Sequence, residues 1–292
     1  MIARADLQLA LAAAVAANPM IELRLGTTVV DFADESGDLS IGIEERSKRC
    51  VLPGAALIAA DGVQSQLRAR LSRTASARPV GRTAWRATVP AKALEHVVEP
   101  SGIGLWLESN AHLVHYPIDE GRTVNLVAIV AEDWRGLGWS EPGDHDWLAE
   151  RFAGWAPSAL RIIRAPDEWR KWAILAVDPT GSWGSGRVAL LGDAAHAMPP
   201  YLAQGAAMAI EDAAVLAGCL ASSPDDAVSA LSTYQSWRKP RVLRVYKAAF
   251  ETGALYHLGK PMAAMRNLAL TIAGRQLSLS RNDWIYGWRS AV

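Results

Sequence analysis

The sequence predicts a mixed α/β chain in which an open α/β unit is interrupted by an antiparallel-sheet unit. Three observations predict this. Two short apolar runs, residues 55–60 and 187–191, read as strands buried on both faces, and each is followed by a Gly and an Asp. Between them, residues 81–130 hold four runs rich in β-branched and aromatic residues, the pattern of an antiparallel sheet. After the second buried run come two long helical stretches. An α/β start, an antiparallel insert and a strand–loop–helix return describe one layered domain interrupted by another.

Each element has its own reason. Residues 3–17 predict an amphipathic helix, with Leu7, Leu11 and Val15 at four-residue spacing and Asn18-Pro19 as its end. Asp6 and Gln8 interrupt the apolar stretch, so it does not read as a signal peptide. Strand-like pieces follow at 21–25, 29–33, 39–43 and 50–52, punctuated by Gly26, Ser36-Gly37 and Pro53-Gly54. The run at 55–60 ends at Asp61-Gly62, and a helix extends to about Leu71. Strands are expected at 83–89, 103–107, 113–117 and 123–130. Residues 144–164 predict helix, with Pro157 starting a second one. A strand at 171–176 precedes the buried one at 187–191. Helices are expected at 203–220, 225–252 and 261–277. The expected domains are 1–79 and 177–252 for the interrupted unit, 80–176 for the insert, and 253–292 for a C-terminal helical segment.

Composition narrows the function. The chain has 292 residues, half of them hydrophobic and 21% charged, which is globular composition. Thirty basic residues balance thirty acidic ones, so nothing favours nucleic acid or an anionic membrane surface. Cys50 and Cys219 are far apart and imply no disulfide framework, and six scattered histidines imply no metal site. The apolar runs are shorter than a bilayer-spanning segment, and the cytoplasm is the expected compartment. Twelve tryptophans are unusual; several cluster between Trp134 and Trp183 and read either as packed core or as an aromatic-lined pocket.

The chemistry concentrates in residues 186–213. A buried strand delivers Gly192 and Asp193 to its carboxyl end, where open α/β sheets bind ligands. Gly192 allows close backbone approach. A loop with Pro199 and Pro200 then enters a helix that opens with Ala203, Gly205, Ala206 and Ala207. Its free N–H groups and positive dipole end suit an anionic or electron-rich ligand, and its small side chains equally suit tight helix–sheet packing.

The string Gly192-Asp193-Ala194-Ala195-His196, Pro200, Gln204-Gly205-Ala206 and Glu211-Asp212-Ala213 resembles the second FAD-binding motif of the aromatic-ring flavin hydroxylases, the salicylate hydroxylase and 6-hydroxynicotinate monooxygenase group. Asp61-Gly62 with Ser65 and Arg68 resembles that family's middle motif. Arg4-Ala5-Asp6-Leu7 resembles the helix whose arginine reaches the FAD phosphates. Thr83-Ala84-Trp85-Arg86, His115-Tyr116-Pro117 and Asp283-Trp284-Ile285-Tyr286-Gly287 match its later segments.

The resemblance implies an FAD-binding Rossmann-like domain interrupted by a substrate domain. It implies that Gly192 and Asp193 meet the FAD ribityl chain, that Gly205 and Ala206 meet the isoalloxazine, and that Pro200 lies beside its reactive edge. Asp61 and Gly62 would sit near the pyrophosphate, Arg68 would hold the loop or a phosphate, and Arg4 would contact phosphate. Tyr116 is the expected substrate contact, since His115 and Tyr116 alternate faces on a strand. His196 reads as structural rather than as a base, and the 283–287 segment as packing. The implied activity is hydroxylation of a small phenolic or heteroaromatic acid, consuming O2 and NADH or NADPH, with a homodimer as the candidate assembly.

One family feature is not found. No G-x-G-x-x-G turn follows a strand near the start: Gly102-x-Gly104, Gly136-x-Gly138 and Gly184-x-Gly186 each lack the third glycine. The expectation is that the opening βαβ unit lies outside this chain, that FAD binding by the chain alone is weak, and that apolar surface is exposed. A related flavin halogenase or epoxidase and an inactive fragment stay open as alternatives.

Overall fold

A computed structural model describes residues 3–35, 37–71, 76–99, 102–136, 138–280 and 282–290, and for residues 273–280 the backbone only. Ser36, expected to punctuate the first strands, and Leu137, inside one of the glycine pairs above, lie outside the described residues. In chain order the elements are α1 (Arg4–Ala16), β1 (Thr27–Glu35), β2 (Asp38–Glu45), β3 (Lys48–Gly54), β4 (Leu57–Ala59), α2 (Gln66–Leu71), β5 (Arg78–Pro90), β6 (Gly104–Leu107), β7 (Ala111–Ile118) and β8 (Thr123–Ala131). Then come β9 (Ser140–Gly143), α3 (His145–Arg151), α4 (Pro157–Arg164), β10 (Trp169–Ala176), β11 (Gly184–Ser185), β12 (Val188–Leu190), α5 (Asp193–His196), α6 (Gly205–Ser222), α7 (Ala227–Tyr256), α8 (Met262–Ser280) and α9 (Asp283–Tyr286).

The chain divides into two compact units: residues 1–23, 81–174 and 256–266, and residues 24–80, 175–255 and 267–292. The breaks fall near residues 80 and 175. Residues 1–23 and 256–266, however, group with the insert. α1 buries none of its residues. Leu11, expected on its inner stripe, is 58% exposed, and Leu9, Met20, Ile21, Leu23 and Leu25 are also exposed. Residues 21–25 are not a strand, because no ladder partner pairs with them among the described residues.

The first unit is built on a six-stranded antiparallel sheet, ordered β6-β7-β8-β5-β10-β9. Alternation sends Trp85, Val89, Leu113, Leu126 and Ala128 to one face. There they bury against Leu148, Phe152, Ile162 and Ile163 of α3, α4 and the turn between them. Asp144 starts α3 by accepting the amides of Asp146 and Trp147, both at 3.0 Å. Of the Trp134–Trp183 cluster, Trp169 and Trp183 are buried and Trp147 and Trp155 pack against core residues, whereas Trp139 is 48% exposed. Trp85 and Trp147 stack at 5.2 Å, and the Lys171 ammonium sits over Trp85 at 5.2 Å while it pairs with Glu132 at 2.8 Å and Glu141 at 3.2 Å.

His112 of β7 is buried, with its Nδ1 2.9 Å from Nε2 of His257. Burial, then the neighbouring His257 and Arg82, pushes the His112 imidazole down to about 3. An unfolded histidine gains its proton near 6.5, whereas this one stays neutral. The unfolded state therefore binds the extra proton, and stability falls as pH drops from about 6.5 towards 3. His112→Gln is expected to flatten that acid slope, read from urea midpoints between roughly pH 6 and pH 4. Parallel slopes for variant and parent would assign the acid sensitivity to other groups.

The second unit holds two three-stranded sheets, β1-β2-β3 and β11-β12-β4. In the first, Leu39 and Ile43 of β2 turn inward. In the second, β12 pairs with β4 in parallel, Val188 against Leu57, Ala189 against Ile58 and Leu190 against Ala59. Those strands pack with Met208, Val215 and Leu216 of α6 and Leu231, Tyr234 and Val242 of α7 in one core. By length and composition α6 is long and apolar enough to cross a membrane, although the sequence reading found no such run. Glu211 and Asp212 at its middle are ion-paired, and its Met208, Val215, Leu216 and Cys219 bury in this core, so it serves as a core helix.

Candidate active site

Parallel pairing of β4 with β12 sets the site. It brings the carboxyl ends of both strands to one edge of the sheet, so that Asp61-Gly62 and Gly192-Asp193 emerge side by side. Gly192 sits at φ 62° and ψ −139°, a conformation close to the region only glycine adopts freely. Its N–H donates to Asp212 Oδ2 at 3.1 Å, and a Cβ here would lie 3.1 Å from the Ala209 methyl.

Asp193 is exposed, and its carboxylate has no partner among the described residues. A Cβ on Gly205 would stand 3.8 Å from Asp193 Oδ1, so the carboxylate lies beside the first turn of α6. Ala203, in the left-handed region at φ 52°, turns the chain into that helix. Pro200 and Ala206 are exposed near the same turn. The site thus presents a free carboxylate, unpaired helix-end amides and side chains no larger than methyl, with Pro200 at the rim.

Behind this surface lies a buried charge cluster. His196 Nε2–H donates to Asp212 Oδ2 at 2.6 Å, and Arg238 Nε donates to Oδ1 at 2.7 Å. Arg238 also pairs with Glu211 at 2.8 Å, and Arg241 grips both Glu211 oxygens at 2.6 Å. Burial would raise the Asp212 carboxyl, but the His196 and Arg238 contacts outweigh it and hold it below the usual carboxylate range. His196 and Asp212 are fully buried, so the histidine orients the α5 turn against α6 and cannot reach a substrate. Arg241 continues to the carbonyls of Trp284 at 3.1 Å and Ile285 at 2.9 Å, and Trp288 lies under Arg238 and Arg241. The 283–287 segment packs, as expected, but through cations on rings and carbonyls.

The middle motif is also a positioning device. Asp61 accepts the amides of Gln66 at 3.0 Å and Leu67 at 3.4 Å and so caps α2. Ser65 Oγ accepts the Arg68 amide at 2.9 Å. The buried Arg68 guanidinium donates to the carbonyls of Ala194 at 2.8 Å and Val63 at 2.6 Å. Of its two expected roles, loop or phosphate, these contacts fulfil the first: Arg68 fastens the Asp61 loop to the Asp193 turn. Gly62, at φ 80°, occupies a backbone conformation that glycine tolerates.

Arg4 and Tyr116 belong to the first unit. Arg4 is exposed on the first turn of α1. His115 turns into the sheet's covered side, where Trp106 Nε1 donates to its Nδ1 at 3.2 Å, and Gly104 leaves room for its ring. Tyr116 takes the other face, half-buried and opposite Asn125. Sequence reasoning missed the Asp61 cap and the pairing of His196 with Asp212. A capping residue four or five positions ahead of its helix, and partners 16 residues apart, carry no local signal.

The fold and this sheet-end cradle define a nucleotide-cofactor protein with a separate antiparallel-sheet unit, and the residues fit FAD. Asp193 is free to take ribityl hydroxyls, and the bare first turn of α6 can lie against a flat ring. Residues 1–249 match the family described as FAD binding domain. The chain is 32% identical over 289 residues to 3-hydroxybenzoate 6-hydroxylase of Klebsiella oxytoca, covering 99% of this chain and 72% of that one. It is 37% identical over 239 residues to a 3-amino-4-hydroxybenzoate 2-monooxygenase of Streptomyces platensis, covering 80% of this chain and 59% of that protein. A solved salicylate hydroxylase substrate complex superposes with a TM-score of 0.83 at 26% identity, covering 98% and 73% of the two chains. The chain therefore belongs to the FAD binding domain family and is an FAD-dependent aromatic-ring monooxygenase.

Proposed function

We propose that this protein hydroxylates a small aromatic acid bearing a ring hydroxyl or amino group, using O2 and electrons from NADH or NADPH. The observation that carries the reading is the free Asp193 carboxylate beside the open first turn of α6. The similar proteins named above act on hydroxybenzoates, which supports the substrate class. Bound FAD would supply hydride acceptance and oxygen activation.

The chain's own residues bind and orient. Asp193 accepts hydrogen bonds from ribityl hydroxyls. The amides of Gly205 and Ala206 face the electron-rich edge of the ring system, where the helix dipole favours negative charge. Gly192 admits the close approach, and Pro200 borders the substrate side. Asp61 and Gly62 shape the pyrophosphate end, Arg68 fixes that loop, and Arg4 meets a phosphate. Tyr116 contacts the substrate.

The test is an FAD titration of the 292-residue chain, read by flavin fluorescence. Weak but saturable one-to-one binding is expected, with Asp193→Ala raising Kd about tenfold, the value of one charge-assisted hydrogen bond. No binding by the parent chain at tens of micromolar FAD would overturn the reading that these residues suffice to hold the cofactor. An unchanged Kd in the variant would remove Asp193 from the site.

A further inference from the structure

We infer that Arg86 of β5 holds the carboxylate of the aromatic substrate. This rests on the aromatic-acid reading above. Register places two rows of side chains on the sheet face opposite the α3–α4 core. Arg86, Val127, Val114 and Leu105 lie opposite one another across β5, β8, β7 and β6. Thr88, Asn125 and Tyr116 form the neighbouring row. Directly paired residues share a face, so this is one surface: an apolar strip, a polar margin and a cation at its end.

The charges on that face are unbalanced. Arg86 is exposed and has no acidic partner among the described residues. Its guanidinium lies 5.7 Å from the Trp172 ring centroid, which holds it over the sheet without neutralising it. Arg82, the cation of the same strand and face, is engaged with the Asn110 carbonyl, and Lys171 pairs with Glu132 and Glu141 on the opposite face, over Trp85. Strands stand about 4.8 Å apart, so a ring lying on Val127 and Val114 brings a substituent within reach of Arg86. Tyr116 and Asn125 then offer hydrogen bonds to a ring hydroxyl or amino group. A guanidinium fork binds a carboxylate through two parallel N–H donors, which fixes the ring's direction as well as its affinity.

The occupant is thus a monocyclic aromatic carboxylate. The discriminating probes are 3-hydroxybenzoate and its uncharged amide, 3-hydroxybenzamide, titrated into the FAD-supplemented chain by calorimetry and assayed for stimulated NADH oxidation. The parent chain is expected to prefer the acid. Arg86→Met should raise Kd and KM for the acid about tenfold, with kcat little changed and the amide unaffected. Arg86→Lys should recover part of the loss. Arg161→Met, which removes an exposed cation of α4 on the other side of the sheet, should leave both ligands unchanged. An acid-to-amide ratio unmoved by Arg86→Met overturns the assignment while leaving the aromatic-acid reading intact. A parent chain that neither binds nor responds to either probe overturns that reading, and this one with it.

Discussion

Asp212→Ala is expected to destabilise the chain by about 3–5 kcal/mol, the cost of stranding a buried partner charge. The carboxylate takes three donors at once: the Gly192 amide, His196 Nε2 and Arg238 Nε. Arg238 is 2% exposed on its side chain, so its remaining charge could not be rehydrated cheaply. Among the described residues its one remaining carboxylate partner would be Glu211, itself shared with Arg241. The loss would also free the Gly192 turn and the His196 ring, both of which face the cofactor end of β12. Denaturant unfolding gives the stability change, and FAD titration of the folded fraction gives the coupling to the site. A loss below about 1 kcal/mol would show that water reaches the cluster and that it does not lock the turn. Asp212→Asn keeps the shape and one acceptor and is expected to lose less.

Gly192→Ala should combine a fold effect and a site effect. At φ 62° and ψ −139° a side chain adds about 1–3 kcal/mol of backbone strain. The new methyl would also stand 3.1 Å from Ala209, on the helix that faces the cofactor. Since β12 and α6 are both packed in the core, the loop between them must give way, and Asp193 is the next residue along. FAD affinity is expected to fall at least tenfold, more than Asp193→Ala alone, because the helix end and the carboxylate move together. An affinity equal to that of the parent chain would mean the strained turn is not needed to place Asp193.

The strands of the insert were legible because their alternation and β-branched content are local signals, as at Thr83–Val89 and Thr123–Val130. Helix α7 was legible from its length and period, although it contains Pro240. The sequence alone also pointed to a cofactor loop at Gly192-Asp193 and to a helix with a bare first turn, since glycine, aspartate and alanine in that order act through backbone freedom and size. It could not tell that residues 21–25 lack a strand partner, because pairing is a property of the neighbour. Nor could it tell that Arg68 spends its guanidinium on Ala194, 126 residues away, or that Asp61 caps a helix. The face taken by Tyr116 and Arg86 is likewise set by register, which a one-residue slip would invert. Residue types and their local spacing determined what chemistry this chain can carry. Only the tertiary structure decided which of those groups are buried as fasteners and which are left free for a ligand, because desolvation and pairing depend on chain segments far apart in sequence.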